Sequence, residues 1–93
     1  MFSIKTTSRF DAELLTALDY IALDNIDRAL WFHDTLMEKL HAIPSNPLMY
    51  RKRAGMNENV RELIFKGYTI PYYIDHDTEQ IYILGIFNQN MWE

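Results

Sequence analysis

The spacing of apolar residues changes once along this chain, and that change constrains the fold more than any other feature. Between residues 9 and 43, apolar side chains recur at intervals of three and four, as on one face of an α-helix. From residue 60 onwards they form short runs rich in β-branched and aromatic residues, separated by turn signals. We therefore predict helices first and a sheet after them.

Two helices are predicted, over about 9–23 and from the next capping residue to about residue 43. Ser8 and Asp11 form a capping-box-like pair for the first helix. Asp24 or Asn25 is suited to cap the second, because a short side-chain oxygen accepts from the free N–H groups of a first turn. The short connection predicts antiparallel neighbours. The predicted apolar face of the second helix comprises Ile26, Ala29, Phe32, Leu36, Leu40 and Ile43.

The strands are predicted on either side of this helical pair. The opening "FSIKT" alternates apolar and polar residues and suits a short strand, and three more strands are expected over about 60–66, 68–75 and 80–87. Residues 44–59 are predicted to form a packed loop with a short extended piece. The fold class is thus α+β, a helical hairpin on an antiparallel sheet in the order β-α-α-β-β-β, with the second sheet face open for function.

Pro71 falls inside the predicted strand 68–75, which a three-stranded meander places in the middle. A proline there lacks the N–H group that a central strand donates to its neighbour. We expect either a β-bulge at this position or a local loss of pairing.

Composition excludes several classes of protein. The 93 residues form one domain, 1–93, with no cysteine and therefore no disulfide or thiolate zinc site, which suits a cytoplasmic protein. The N-terminus is unlike a signal peptide, no apolar run would cross a membrane, and the net charge of −4 disfavours electrostatic binding to nucleic acid. His33 and His41 lie about 12 Å apart along a helix, so we expect no metal and no cofactor.

Two groups of residues are candidates for binding. The run "RKR" at 51–53 follows Tyr50 and is suited to phosphate or to an acidic protein surface, although such runs are also common in solvated loops. Arg61 lies among the apolar residues of a strand, where pairing with a nearby carboxylate is the structural alternative. Trp31 is predicted opposite the apolar helix face, and Trp is enriched at binding hot spots.

The ordered motifs resemble the RelE/ParE toxin superfamily over nearly the whole chain. The segments "FDAELLTALDYIALDNIDRALWFHDTLMEKLHAIPSNPLMY" and "VRELIFKGYTIPYYID…IYILGIF" are similar to that superfamily's helical hairpin and strands. The matching hairpin residues are Leu14 or Leu15, Tyr20, Ile21, Asn25, Ala29, Phe32, Leu36, Leu40 and Pro47, and the matching strand residues are Arg61, Glu62, Leu63, Gly67 and Tyr68.

This resemblance implies the toxin of a type II toxin–antitoxin module, which a cognate antitoxin wraps and neutralises. It implies one of two targets, since RelE-like members cut mRNA on the ribosome and ParE-like members inhibit DNA gyrase. It also leaves open whether toxin–antitoxin complexes assemble further. A non-catalytic binding module, or a toxin that has lost activity, is the remaining alternative.

The residues favour the ParE-like activity. In a RelE-like nuclease the resemblance assigns catalysis to Lys52, Arg53 and Arg61, which would neutralise the charge on the phosphate. The C-terminal "NQNMWE" lacks that group's basic run and any titrating acid or base near it apart from Glu93, so we predict a gyrase inhibitor and not an enzyme. The partner-binding residues are predicted to be Trp31, Tyr50, Arg51 and Trp92.

Overall fold

The computed structural model describes residues 1–88 and contains two helices packed on one face of a mixed β-sheet. The predicted order of elements is confirmed, and the short extended piece expected in the 44–59 loop is a two-residue strand. The single strand predicted over 80–87 is wrong in extent, because it ends at Ile83 and pairing resumes only at Phe87. The elements are β1 (Ser3–Thr6), α1 (Ser8–Asp24), α2 (Ile26–Ala42), a 3-10 turn (Ile43–Ser45), β2 (Arg51–Lys52), β3 (Val60–Phe65), β4 (Tyr68–Asp75), β5 (Gln80–Ile83) and β6 (Phe87–Asn88).

The sheet has the strand order β1-β5-β4-β3-β2, with β6 paired to one end of β4. Strands β2 to β5 are antiparallel to their neighbours as predicted, but β1 pairs with β5 in parallel. The sheet is therefore mixed and not wholly antiparallel. The reason is the connection: the chain passes through both helices and three strands before β5 lies beside β1, and a long crossover permits parallel pairing.

Both helix starts depend on a side-chain cap. Asn25 caps α2 as predicted, accepting from the Arg28 N–H at 3.0 Å. The predicted Ser8–Asp11 cap of α1 is wrong, because Thr7 takes that role and accepts from the Phe10 N–H at 3.1 Å. The Thr7 hydroxyl also lies 2.8 Å from the Ile83 carbonyl, so the cap ties the helix to β5. Such a contact follows from tertiary structure and not from local sequence.

The core lies between the helices and the facing side of the sheet. The predicted apolar face of α2 is buried from Ala29 to Ile43, but Ile26 is 67% exposed because it projects at the tip of the hairpin. Each fully buried Leu or Ile contributes roughly 1.5–3 kcal/mol of hydrophobic stabilisation. The buried cluster comprises Phe10, Leu14, Phe32, Leu36, Leu40, Ile43, Leu63, Phe65, Ile70, Tyr72, Ile74, Ile81, Ile83 and Ile86.

Pro71 lies where pairing on one side of β4 is interrupted. Between the Tyr72–Ile83 and Thr69–Phe87 pairs, residues 84–86 lie opposite residues 70–71, and this one extra residue is the count of a β-bulge. Both expected outcomes, a bulge and a local loss of pairing, therefore describe this point. On the β3 side the ladder is continuous, with Pro71 opposite Glu62. On the other side β5 ends at Ile83 and β6 begins at Phe87. The Pro71 carbonyl accepts from the Leu84 N–H at 2.9 Å, which places the missing donor on this interrupted side.

The sheet face away from the helices is less open than predicted. Glu62, Thr69 and Pro71 are buried there, together with Val60 and Phe87. After β5 the chain continues along β4 in the same direction and forms β6, which brings Phe87 beside Thr69. β6 extends the sheet beside β4 and places the Phe87 side chain on this face. The expectation that this face is the functional surface stays a prediction.

Candidate functional site

The cations of the 51–53 run lie on opposite faces of the sheet. Arg51 is opposite Glu62 and Lys52 is opposite Arg61, and the Arg53 N–H continues the ladder by donating to the Val60 carbonyl. Since side chains alternate along a strand, Lys52 and Arg61 share the helix side, whereas Arg51 and Arg53 share the other side. We call residues 48–53 the basic edge. The three residues predicted for a nuclease are thus divided between two faces.

Arg51 and Arg53 both pair with Glu62, which is only 7% exposed. The Arg51 side chain approaches one carboxylate oxygen at 2.7 and 2.8 Å, and the Arg53 Nη1 donates to the other at 2.8 Å. The Arg53 guanidinium also lies 5.2 Å from the centre of the Phe87 ring. These two cations therefore neutralise a buried carboxylate, which would be costly to leave unpaired.

Arg61 holds the loop that leads into β2. Its Nη1 donates to the Tyr50 carbonyl at 2.9 Å and to the Leu48 carbonyl at 3.3 Å. Its Nε is buried and makes no hydrogen bond within residues 1–88. Part of the charge of Arg61 is thus used to satisfy backbone oxygens, which indicates a structural contribution to this loop.

Tyr72 also holds the loop that leads into β2. Its hydroxyl donates to the Pro47 carbonyl at 2.8 Å, and its ring meets the Tyr50 ring edge-to-face. Burial raises the pKa of Tyr72 to about 12, although the nearby Arg61 charge and a hydrogen bond with the Tyr50 backbone oppose the rise. Tyr50, predicted to bind a partner, is half-buried in this arrangement. Lys52 is exposed and makes no ion pair within the described residues.

A groove lies at the other end of the sheet, between the helices and β6. One hollow of about 710 Å³ is bordered by α1, α2 and the β3–β4 turn, and a second of about 480 Å³ lies between α1 and β6. Tyr20, Tyr68 and Asn88 line both hollows. We call the continuous depression the aromatic groove. Its other lining residues include Ala12, Thr16, Ala17, Trp31, Phe32, Lys66 and Phe87.

Large aromatic and small residues shape this groove. Trp31 is 48% exposed, with its ring 6.0 Å from that of Phe65 and the Lys66 ammonium 5.3 Å from its centre. Burial, and secondarily the neighbouring Tyr20, raise the pKa of Tyr68. Ala12 and Thr16 lie one helical turn apart and leave the α1 wall open to close approach. Such a concave, partly apolar surface is typical of a protein-binding site.

The family model described as the ParE toxin of the type II toxin–antitoxin system, parDE, matches residues 4–91. The chain belongs to the ParE toxin family. This result confirms the predicted superfamily.

Two solved structures share the fold. One, titled as a chromosomal ParDE toxin–antitoxin system from P. aeruginosa, is 23% identical, covers 95% of this chain and 96% of its own, and gives a TM-score of 0.76. A conserved hypothetical protein from Helicobacter pylori is 14% identical, with 97% of both chains covered and a TM-score of 0.53. No curated protein matches.

This ParE-family toxin brings together only some of the residues predicted as sites. Trp31 lies in the aromatic groove, and Arg51 and Tyr50 lie at the basic edge. Trp92 falls outside the described residues. The sequence analysis missed Tyr20 and Tyr68 as binding candidates; their exposure could not be inferred, since it depends on how the hairpin tip meets the β3–β4 turn.

Two further observations concern the described part of the toxin. None of its helices is long and apolar enough to span a membrane. Within residues 1–88 there is no group of three acidic, histidine or cysteine side chains placed to hold a metal ion.

Proposed function

We propose that this toxin arrests growth by inhibiting DNA gyrase and that a cognate antitoxin neutralises it by binding in the aromatic groove. The observation that carries the proposal is the family match over residues 4–91, since ParE-like members act on gyrase. The nuclease alternative requires cations that converge on one phosphate.

The positions of the cations favour gyrase over mRNA. Arg53 faces away from Lys52 and Arg61, and it is engaged by Glu62 at 2.8 Å. A nuclease built on this edge would also need an acid or base, which "NQNMWE" offers only in Glu93. Loss of a general acid or base typically costs 10²–10⁴-fold in rate. A ribonuclease with this arrangement would therefore be weak.

The test pairs two assays on purified toxin: supercoiling of relaxed plasmid by gyrase, and integrity of a message in a translating extract. We expect inhibited supercoiling and intact message. Lys52→Ala is a suitable companion variant, because Lys52 is exposed and its loss should not disturb the fold. It should leave supercoiling inhibition unchanged. Cleaved message with normal supercoiling, abolished by Lys52→Ala, would establish the nuclease alternative instead.

The aromatic groove supports the antitoxin part of the proposal. It presents Tyr20 and Trp31 beside β6, where a segment of a partner has both apolar contacts and a short strand edge available. The neighbouring gene product should therefore form a complex with the toxin on co-expression, detected by size-exclusion chromatography. Expression of the toxin alone should stop growth, and normal growth with soluble folded toxin would favour a non-catalytic binding module.

A further inference from the structure

Exposed aliphatic side chains cluster at the tip of the helical hairpin, outside the core. Leu23, Ile26 and Leu30 are 87%, 67% and 59% exposed. They lie next to Asp24 and Asp27 in the sequence, at the end of α1 and the first turns of α2. We call these five residues the tip patch. Leucine and isoleucine exposed together with carboxylates suit a partner that offers apolar groups and cations.

The basic edge has this complementary composition. Leu48 and Met49 are 56% and 46% exposed there, next to Arg51 and Lys52. The loop that carries them is fixed by hydrogen bonds from Arg61 and Tyr72 to its carbonyls. It is therefore a preformed surface, and preformed surfaces lose less conformational entropy on binding.

The charges of the two regions are opposite in sign. The hairpin tip, residues 23–30, has two acidic side chains and one basic, whereas the basic edge, residues 48–53, has three basic and no acidic. Asp27 and Lys52 each make no ion pair with another of the described residues. Each is thus available to a charge on another molecule.

The tip patch and the basic edge lie at opposite ends of the molecule. Trp31, in the second turn of α2, contacts Phe65 at the end of β3. Arg61, near the start of β3, contacts the loop that follows α2. The 17 residues of α2 span about 25 Å between these ends, and the longest dimension of the protein is 41 Å. One copy therefore cannot bring its own two surfaces together.

We propose that the tip patch of one toxin molecule binds the basic edge of a second copy, in a head-to-tail contact. Such a contact is heterologous: a pair of copies keeps one unused tip patch and one unused basic edge, so the assembly extends or closes into a ring. The inference does not depend on the gyrase target. It predicts that toxin without antitoxin self-associates with increasing concentration and that added salt weakens the association, because salt screens exposed charges.

The test uses complementary single-surface variants of the full chain, studied by sedimentation velocity. The tip variant is Leu23→Ser with Ile26→Ser, and the edge variant is Met49→Ser with Lys52→Ser. Each removes exposed side chains only, and circular dichroism would verify that both remain folded. Ile64→Ser with Lys5→Ser is the matched control, since both residues are exposed and belong to neither surface.

Each surface variant alone should associate roughly tenfold or more weakly than the control. An equimolar mixture should form a 1:1 heterodimer that does not grow, because only one intact pair of surfaces remains. This rescue by mixing is specific to a heterologous contact. A wild-type toxin that stays monomeric, a dimer that does not grow with concentration, or a mixture no more associated than its components would overturn the proposal.

Discussion

The two ends of this toxin use their polar and aromatic residues in different ways. At the basic edge, the cations are largely satisfied inside the molecule: Arg51 and Arg53 by Glu62, and Arg61 by loop carbonyls. In the aromatic groove, Tyr20 and Trp31 remain exposed although a folded chain gains by burying such rings. The arginines of the 51–53 run are thus engaged within the molecule, whereas the rings of Tyr20 and Trp31 are left partly uncovered by it.

The largest expected effect tests whether the arginines at the basic edge are structural. The double variant Arg51→Ala with Arg53→Ala leaves the Glu62 carboxylate buried without a partner. We expect a loss of about 3 kcal/mol in the free energy of unfolding, measured by urea denaturation at pH 7.

The control for this experiment adds Glu62→Leu to the double variant. Replacing a whole buried charge cluster with apolar groups is often close to neutral, so the triple variant should recover most of the lost stability. If the double variant is as stable as the wild type, these arginines do not stabilise the fold, and the contrast between the two ends fails.

The next prediction concerns the aromatic groove. Trp31→Ala or Tyr20→Ala should weaken binding of the purified antitoxin by about 2–3 kcal/mol, as expected for aromatic hot spots. Isothermal titration calorimetry would measure the dissociation constants. Lys52→Ala at the basic edge is the control and should leave the affinity nearly unchanged. The reverse pattern would place the antitoxin at the basic edge and contradict our assignment of the groove.

A smaller effect is expected from Arg61→Ala. This change removes two hydrogen bonds to the carbonyls of the 47–50 loop and should lower the free energy of unfolding by about 1–2 kcal/mol. Inhibition of supercoiling per folded molecule should not change. A variant with normal stability but no inhibition would show that Arg61 contacts the target, which would sharpen the comparison by assigning function to the basic edge.

The sequence predicted those parts of the fold that depend on local spacing. Both helices, the Asn25 cap and the β3–β4 hairpin follow from apolar periodicity and turn residues. The contact of the Thr7 cap with β5 and the parallel pairing of β1 did not follow, because both join residues more than 70 positions apart. The pairing of β6 with β4 did not follow either, because it depends on how the chain passes Pro71 after β5 ends.

The candidate site was predictable only in part, for a similar reason. Trp31 was identified from its position opposite the apolar helix face. Lys52 and Arg53 are adjacent, so any extended conformation divides them between two faces. Which of them shares the face of Arg61 depends on the register of β2 against β3, and shifting that register by one residue would exchange their faces. The 44–59 loop sets this register, and its conformation is not encoded in a short motif.

The smallest effect at neutral pH is expected from Tyr72→Phe, and it tests the same loop by a different route. This change removes only the hydrogen bond to the Pro47 carbonyl, so we expect a loss of about 1 kcal/mol at pH 7. At alkaline pH the Tyr72→Phe variant should become more stable than the wild type. In the wild type the pKa of Tyr72 is about 12 in the folded state, above the value of about 10 for a free tyrosine.

A raised pKa means that the folded state holds this proton more tightly than the unfolded state. The contribution of the Tyr72 hydroxyl to the free energy of unfolding is therefore fully present below about pH 10. It is lost as the pH rises towards 12, by roughly 2–3 kcal/mol in all. Tyr72→Phe should lack this loss, whereas Tyr73→Phe, which changes the next residue of β4, should retain it. Urea denaturation at intervals between pH 8 and pH 11 would measure the difference. Equal alkaline losses in both variants would show that ionisation of Tyr72 does not cause the loss, and would contradict the raised pKa of this buried hydroxyl.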